Sequence, residues 1–341
     1  MDINTKLDNC YPYKSKRYIA IVLSVIEMFL FGGYHYGFNS LIHIYKSRGL
    51  FSYNCTQSDH CMFHDYWYGI SFHIWLVSEM CLLIFTGLFM DHIGLRALKF
   101  VSTLIYAIGT ILFAITTGST PILFILAGIL VDLGCISNLM CNQQISLMFP
   151  YLRGLCIALL SGAFDSSTVI SYIISIIHPY ISLYWSLICL AIGSLSMGLF
   201  LALFIMTTKS VDMLKYAVIS RDSQMIIQSR ENCLEEPLSP DFHQELSNLI
   251  HERYPTIRSC LLSLPFCLIN LWFGLGLLRF SMYLNHLSSV LNYLFPSNDE
   301  DIVNKLLKVS SVFFMCGFLM APLTGTLIDL SLKISSRYAS N

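Results

Sequence analysis

The sequence predicts an all-α membrane protein of eight transmembrane helices, in which a six-span unit begins to repeat. Three observations carry this. Hydrophobic residues make up 55% of the 341-residue chain and charged residues 12%, too little charge to cover a water-soluble surface of that size. Mean hydropathy is accordingly high, +0.64. Apolar runs of about 20 residues, the length that crosses a bilayer core, recur at roughly 18–40, 68–90, 98–118, 121–146, 154–177, 182–206, 259–285 and 308–331. They are continuous rather than alternating, which selects helices over a barrel. Finally, the turn Gly87-Leu88-Phe89-Met90-Asp91 closes the second run and returns as Gly325-Thr326-Leu327-Ile328-Asp329 at the close of the eighth, 238 positions on.

Taken in order, residues 1–17 form a short polar cytosolic arm. The first run is too long for a signal peptide, and no small-residue cleavage site follows it. The first outside loop carries the glycosylation sequon Asn54-Cys55-Thr56. Cys55 and Cys61 share that loop, on the side where an oxidising environment permits a disulfide. Most other cysteines sit singly in spans as small apolar packing residues. Residues 18–206 hold a six-helix bundle with tight outside turns at Thr117-Gly118-Ser119-Thr120 and His178-Pro179-Tyr180. Residues 207–257 carry charges and prolines without a long apolar run and read as a central cytosolic loop. Residues 258–341 hold two more spans, so the second six-span unit is expected to be cut short. On this topology 15 of the 20 Lys and Arg residues, Arg96 and Lys99 among them, face the cytosol. Four lie outside (Lys46, Arg48, Lys305, Lys308) and Arg279 lies in a span. The positive-inside rule then places both termini in the cytosol.

The repeated turn has a physical reading. Gly87 lets a neighbouring helix approach, and Gly94 permits the turn at the start of the third span. Asp91 is suited to accept hydrogen bonds from helix N-terminal amides, and Arg96 to pair with a carboxylate or an exposed carbonyl. With Gly325 and Asp329 as the second copy, these residues form a candidate gate on the cytosolic side.

Charge within a span costs roughly 2.5–3.5 kcal/mol on insertion scales and therefore needs a reason. Glu27, Glu79, Asp132, Asp165 and Arg279 are such charges. Asp165 shares a helix face with Ser161, Thr168 and Tyr172 if the fifth span is continuous. Asn138 and Asn142 make an i,i+4 pair in the fourth span, and Arg279 shares a face with Trp272, Tyr283 and His286. These groups either line a substrate cavity at the midplane or pair helices with one another. Glu27 and Asp165 are assigned to the cavity and Glu79 and Asp132 to pairing, while Arg279 stands open between the two. His35 reads as a lone histidine in an apolar span. No catalytic constellation, phosphate loop, metal-ligand spacing or basic nucleic-acid stripe is present in the sequence. An enzyme, a cofactor and a nucleic-acid partner are therefore not expected; the partners expected are the bilayer and a small-molecule substrate.

The glycine-aspartate turn with its repeat resembles the major facilitator superfamily, whose halves are parallel repeats. Within it the chain is similar to the solute carrier family of facilitative large neutral amino acid and equilibrative nucleobase transporters. The matching residues are Glu27 with Phe31-Gly32, Cys55, Asn142 and Gln144 before Phe149, Gly162-Ala163-Phe164-Asp165-Ser166-Ser167, Leu271-Trp272, and Ala321-Pro322 with Gly325 and Asp329. They cover most of residues 18–335 apart from the central loop, while Glu79 and Arg279 depart from the uncharged residues usual there. Gly162 to Ser167 looks closer to the nucleobase branch, because the amino acid branch has a small residue at Asp165. The resemblance implies a twelve-helix architecture, of which eight helices are expected here. It also implies sodium-independent movement of purine nucleobases across the plasma membrane, with neutral amino acids as the alternative cargo. A truncated form that does not transport but regulates a full-length partner is a third reading. The candidate substrate residues are Glu27, Asn138, Asn142, Ser161, Asp165, Thr168, Trp272 and Arg279.

Overall fold

A computed structural model describes residues 14–52, 62–149, 152–208, 261–294 and 318–331, with a few isolated positions besides. The expectations for Asn54, Cys55, Cys61 and nearly all of the central loop lie outside the described residues. Among the described residues all regular elements are helical. Helical segments long and apolar enough to cross a membrane run Arg17–Ser40, Tyr66–Ile93, Leu95–Ile115, Pro121–Met148, Arg153–Ile177 and Leu183–Phe204. These are the first six expected spans.

A helix Leu264–Leu294 stands at the seventh, and a shorter apolar helix Phe318–Ser331 at the eighth. Among the described residues the apolar part of the former is Leu264–Gly276. Among the described residues, six helices are long and apolar enough to cross a membrane. The chain groups into two compact units, one of Met1–Ser220 with Asn285–Asn341 and one of Arg221–Leu284.

The third span is the hub of the larger unit and packs on the fourth and sixth. Small residues make the approach possible. A Cβ on Gly109 would stand 2.8 Å from the Val131 backbone nitrogen, and one on Gly134 would stand 2.7 Å from Tyr106. Close backbone contact of this kind, rather than a hydrophobic drive, holds helices together in lipid. Phe38 centres an aromatic cluster, 5.1 Å from Phe124 and 5.7 Å from Trp75 between ring centroids. Each such pair adds about 0.5–1.5 kcal/mol beyond the area it buries.

Two spans depart from the continuous helices expected of them. The first runs as α-helix over Lys14–Phe31, breaks at Gly32-Gly33, and resumes as a 3-10 helix, Tyr34–Ser40. The fifth runs Arg153–Ser166, breaks at Ser167-Thr168, and continues Val169–Ile177. The breaks hold each other. The Ser167 hydroxyl donates to the Phe164 carbonyl at 2.6 Å and accepts from the Gly33 amide. The Ser171 hydroxyl donates to the Tyr34 carbonyl at 2.5 Å. Hydroxyl side chains compete with the helical ladder in this way, and backbone freed in lipid must be satisfied by a neighbour.

Candidate functional site

Among the described residues, the larger unit contains two buried polar clusters and, beside the break in the fifth span, the exposed carboxylate of Asp165. The first cluster centres on Lys99, which the sequence places at the cytosolic face. It is instead fully buried in the third span. Its ammonium donates to Glu27 Oε2 at 2.6 Å and to Asn142 Oδ1 at 3.2 Å. Asn142 Nδ2 donates to the same Glu27 oxygen at 2.6 Å. One turn away, Asn138 Oδ1 accepts from the hydroxyls of Ser102 at 2.7 Å and Thr103 at 3.3 Å. Glu27, Asn138 and Asn142 are thus brought together, in hydrogen bonds that join the first, third and fourth spans. The missed residue is Lys99. A carboxylate in the first span and two amides in the fourth already called for a buried cation.

His35, read as solitary, is part of the second cluster. Its Nε2 lies 2.6 Å from Asp132 Oδ1, with both side chains 1% exposed. Cys135 Sγ is 4.0 Å from the same nitrogen. The adjoining Tyr36 ring lies 4.1 Å from the imidazole between centroids, and its hydroxyl donates to Glu79 Oε2 at 2.9 Å. Glu79 is 2% exposed. The first, second and fourth spans meet here. Their charged residues are far apart in sequence and carry no shared periodicity.

The fifth-span stripe does not form as one face, because the helix breaks before Thr168. Asp165 is exposed and Ser161 half-buried, with Gln143 Nε2 3.4 Å from the Ser161 hydroxyl. Thr168 turns inward; its hydroxyl is buried and has no hydrogen-bond partner among the described residues. Of Glu27, Glu79, Asp132 and Asp165, only Asp165 is exposed. Trp272 and Arg279 belong to the smaller unit, where both are exposed.

The two copies of the repeated turn are engaged differently. Asp329 accepts from the Gly154 amide at 2.8 Å and the Leu155 amide at 2.9 Å, so its carboxylate caps the N-terminus of helix Arg153–Ser166. The cap rests on close approach: a Cβ on Gly325 would stand 2.6 Å from Leu155 Cα. In the first copy a Cβ on Gly87 would meet nothing within 4 Å among the described residues, and Asp91 is exposed. Gly94 has φ 110°, a conformation glycine adopts without strain, and Arg96 Nε donates to the Met206 carbonyl at 2.9 Å. Arg96 therefore satisfies a carbonyl beyond the end of the sixth-span helix, one of the two kinds of partner expected of it.

Comparison with known proteins agrees with this architecture. The chain is similar to the proton:xylose symporter of the major facilitator superfamily, solved with 6-bromo-6-deoxy-D-glucose bound. That match has a TM-score of 0.64 and 12% identity over 92% of this chain and 70% of that one. At that identity the likeness concerns the fold alone. The chain is also 25% identical over 172 residues to equilibrative nucleobase transporter 1 of Bos taurus, a match spanning 48% of this chain and 35% of that protein. The model of the Major Facilitator Superfamily matches residues 67–338, and the chain belongs to that superfamily of membrane transporters.

Proposed function

We propose that the chain is a sodium-independent, facilitative transporter that moves small organic solutes, purine nucleobases foremost, by alternating access. The observation that carries the substrate is Asp165. It is exposed beside the break in the fifth span, whereas Glu27 is ion-paired with Lys99, Asp132 lies 2.6 Å from His35, and Glu79 accepts from Tyr36. A free carboxylate accepts hydrogen bonds from purine N–H groups and repels the carboxylate of an amino acid. The likeness to equilibrative nucleobase transporter 1 supports the same reading.

Ser161, and Trp272 and Arg279 of the smaller unit, remain candidates for the substrate path. Glu27, Asn138 and Asn142 serve it by fixing the helices around it. Asp329 on Gly154 and Leu155, with Asp91, Gly94 and Arg96 in the other copy, form the cytosolic gate. The plasma membrane is the site of action. Asn54 lies outside and carries a glycan, and a disulfide joins Cys55 to Cys61. Arg221 and both termini lie inside. A glycosidase-sensitive mobility shift lost in Asn54→Gln tests the topology. Labelling of Arg221→Cys by an impermeant thiol reagent on intact cells contradicts it.

The functional test is parallel uptake of labelled adenine and leucine into cells producing the chain, with and without sodium. Saturable adenine uptake indifferent to sodium is expected; leucine-only flux overturns the substrate assignment. Asp165→Asn replaces an acceptor oxygen by a donor. It should lower adenine uptake by about tenfold or more at equal surface delivery, since a hydrogen bond to a charged group contributes about 1.5–3 kcal/mol.

A further inference from the structure

Three different metal-ligand side chains converge between the first and fourth spans. His35 stands in the 3-10 segment Tyr34–Ser40 of the interrupted first span. Asp132 and Cys135 stand one turn apart on helix Pro121–Gln143, at the i,i+3 spacing that shares a face. The donor atoms, a His35 ring nitrogen, an Asp132 carboxylate oxygen and Cys135 Sγ, all lie within 4.8 Å of one another. His35 Nε2 is 2.6 Å from Asp132 Oδ1 and 4.0 Å from Cys135 Sγ. All three residues are buried. The neighbouring rings of Tyr34 and Tyr36 bring no cation, and the buried ammonium of Lys99 is held by Glu27 at 2.6 Å.

The polar atoms of this cluster are poorly satisfied by one another. Neither Asp132 oxygen accepts a hydrogen bond among the described residues, and the 2.6 Å contact with His35 lacks hydrogen-bond alignment. The Cys135 thiol donates to the Asp132 backbone carbonyl at 3.1 Å and leaves the carboxylate unaided. Burial of such groups is tolerated when they are paired or coordinate a metal. A divalent ion answers both deficits. Imidazole, carboxylate and thiolate are donors to zinc(II), at about 2.0–2.3 Å. Around a tetrahedral ion such donors stand about 3.3–3.6 Å apart, between the 2.6 Å and 4.0 Å separations found here. Side-chain shifts of less than about 1 Å therefore seat all three. As the sulfur–zinc bond forms, the Cys135 thiol proton leaves to solvent. One thiolate and one carboxylate then balance the two positive charges, and the buried site is neutral, as lipid surroundings favour.

We propose that His35, Asp132 and Cys135 form a zinc(II) site that clamps the 3-10 segment of the first span to the fourth span. A water molecule takes the fourth corner, as it does where zinc has three protein ligands. No ligand spacing in the sequence announces the site, because His35 lies ninety-seven positions from Asp132. The ion is resident. It ties together two spans of one bundle and drives no solute, so it is compatible with facilitative movement and stands independently of the transport reading.

The test uses the full 341-residue chain purified in detergent, stripped with a chelator and re-equilibrated with zinc chloride or cobalt(II) chloride. Twelve cysteines and ten histidines give background binding, so each reading is the native chain against Cys135→Ser, which keeps the side-chain size and loses the thiolate. After gel filtration the native chain should hold one zinc ion more than Cys135→Ser. Loss of a direct ligand should weaken binding at the site by about tenfold or more, the effect that even outer partners have. With cobalt, the native chain should show a sulfur-to-metal charge-transfer band that Cys135→Ser lacks. Zinc should raise the unfolding temperature of the native chain by several degrees and leave that of Cys135→Ser unmoved. Cys141→Ser, which removes a buried thiol 4.0 Å from the Leu95 carbonyl on the same helix, should behave as native. His35→Gln should lose zinc as Cys135→Ser does; if it fails to fold, Cys135→Ser decides alone. Equal zinc content and identical cobalt spectra in native and Cys135→Ser chains overturn the site. So does an equal loss in Cys141→Ser, or zinc fully retained by a folded His35→Gln chain.

Discussion

Removing Lys99 tests whether Glu27 holds the bundle together or faces a substrate. In Lys99→Met the side-chain length is kept and the charge is lost. Glu27, 2% exposed, then keeps one hydrogen bond, from Asn142 at 2.6 Å, and loses its counter-ion at the same distance. An uncompensated buried charge of this kind costs about 3–5 kcal/mol. Replacing both partners, as Lys99→Met with Glu27→Met, removes the charge altogether and should recover most of that loss, because apolar pairs of similar volume substitute well for buried ion pairs. The assay is thermal unfolding in detergent of the native chain, both single variants and the double variant. Comparison around that cycle isolates the pair from each residue's separate contribution. The expected pattern is two destabilised single variants and a double variant close to native. A Lys99→Met chain as stable as native, or a double variant no better than either single one, refutes the structural role. Glu27 would then return to the substrate path.

The packing makes three further outcomes testable. Asp329→Ala removes both acceptors from the Gly154 and Leu155 amides, and each bond to a charged group contributes about 1.5–3 kcal/mol before exposure reduces it. Proteolysis or thiol labelling of a cysteine placed at Leu155 should accelerate, and unchanged labelling would contradict the cap. Gly128→Ala presses a methyl group into the Trp75 indole, whose Nε1 donates to Ile125 at 3.0 Å; about 1–3 kcal/mol of overpacking should lower the unfolding temperature. Ser167→Ala removes the hydroxyl that accepts from Gly33 and donates to Phe164. Faster amide hydrogen exchange at residues 33–38 is expected, and unchanged exchange would show that the two interruptions do not depend on each other.

How much of the fold and the site is legible in the sequence depends on whether a feature is local or assembled. Span length is local, since about twenty apolar residues identify themselves wherever they pack, and the six spans are legible on that ground. The breaks are half legible. Gly32-Gly33 is a recognised breaker pair, and Asp165-Ser166-Ser167-Thr168 is a polar run whose hydroxyls compete for the backbone. Each alone is tolerated within a membrane helix. What fixes both as interruptions is their contact, Gly33 on Ser167, which no spacing within either span reveals. Reading the fifth span as continuous misassigns Thr168, because a helical face persists only as far as the helix does.

The charges show the same division. Positive-inside counting treats Lys99 as cytosolic because it stands at a span's start, a rule about delivery to the membrane rather than about final packing. Burial with Glu27 and Asn142 overrides it. His35 and Asp132 are separated by ninety-seven positions, and Tyr36 meets Glu79 from a third segment. Each residue taken singly is better explained as an ordinary span residue. Together they form a constellation with more acid than base, and that surplus is a property of the assembled bundle. The functional content of this chain therefore lies chiefly in contacts between spans. A substitution that reverses one partner's charge should have opposite effects according to whether its partner is also changed, and measurement of such pairs, rather than of single residues, separates the scaffold from the path.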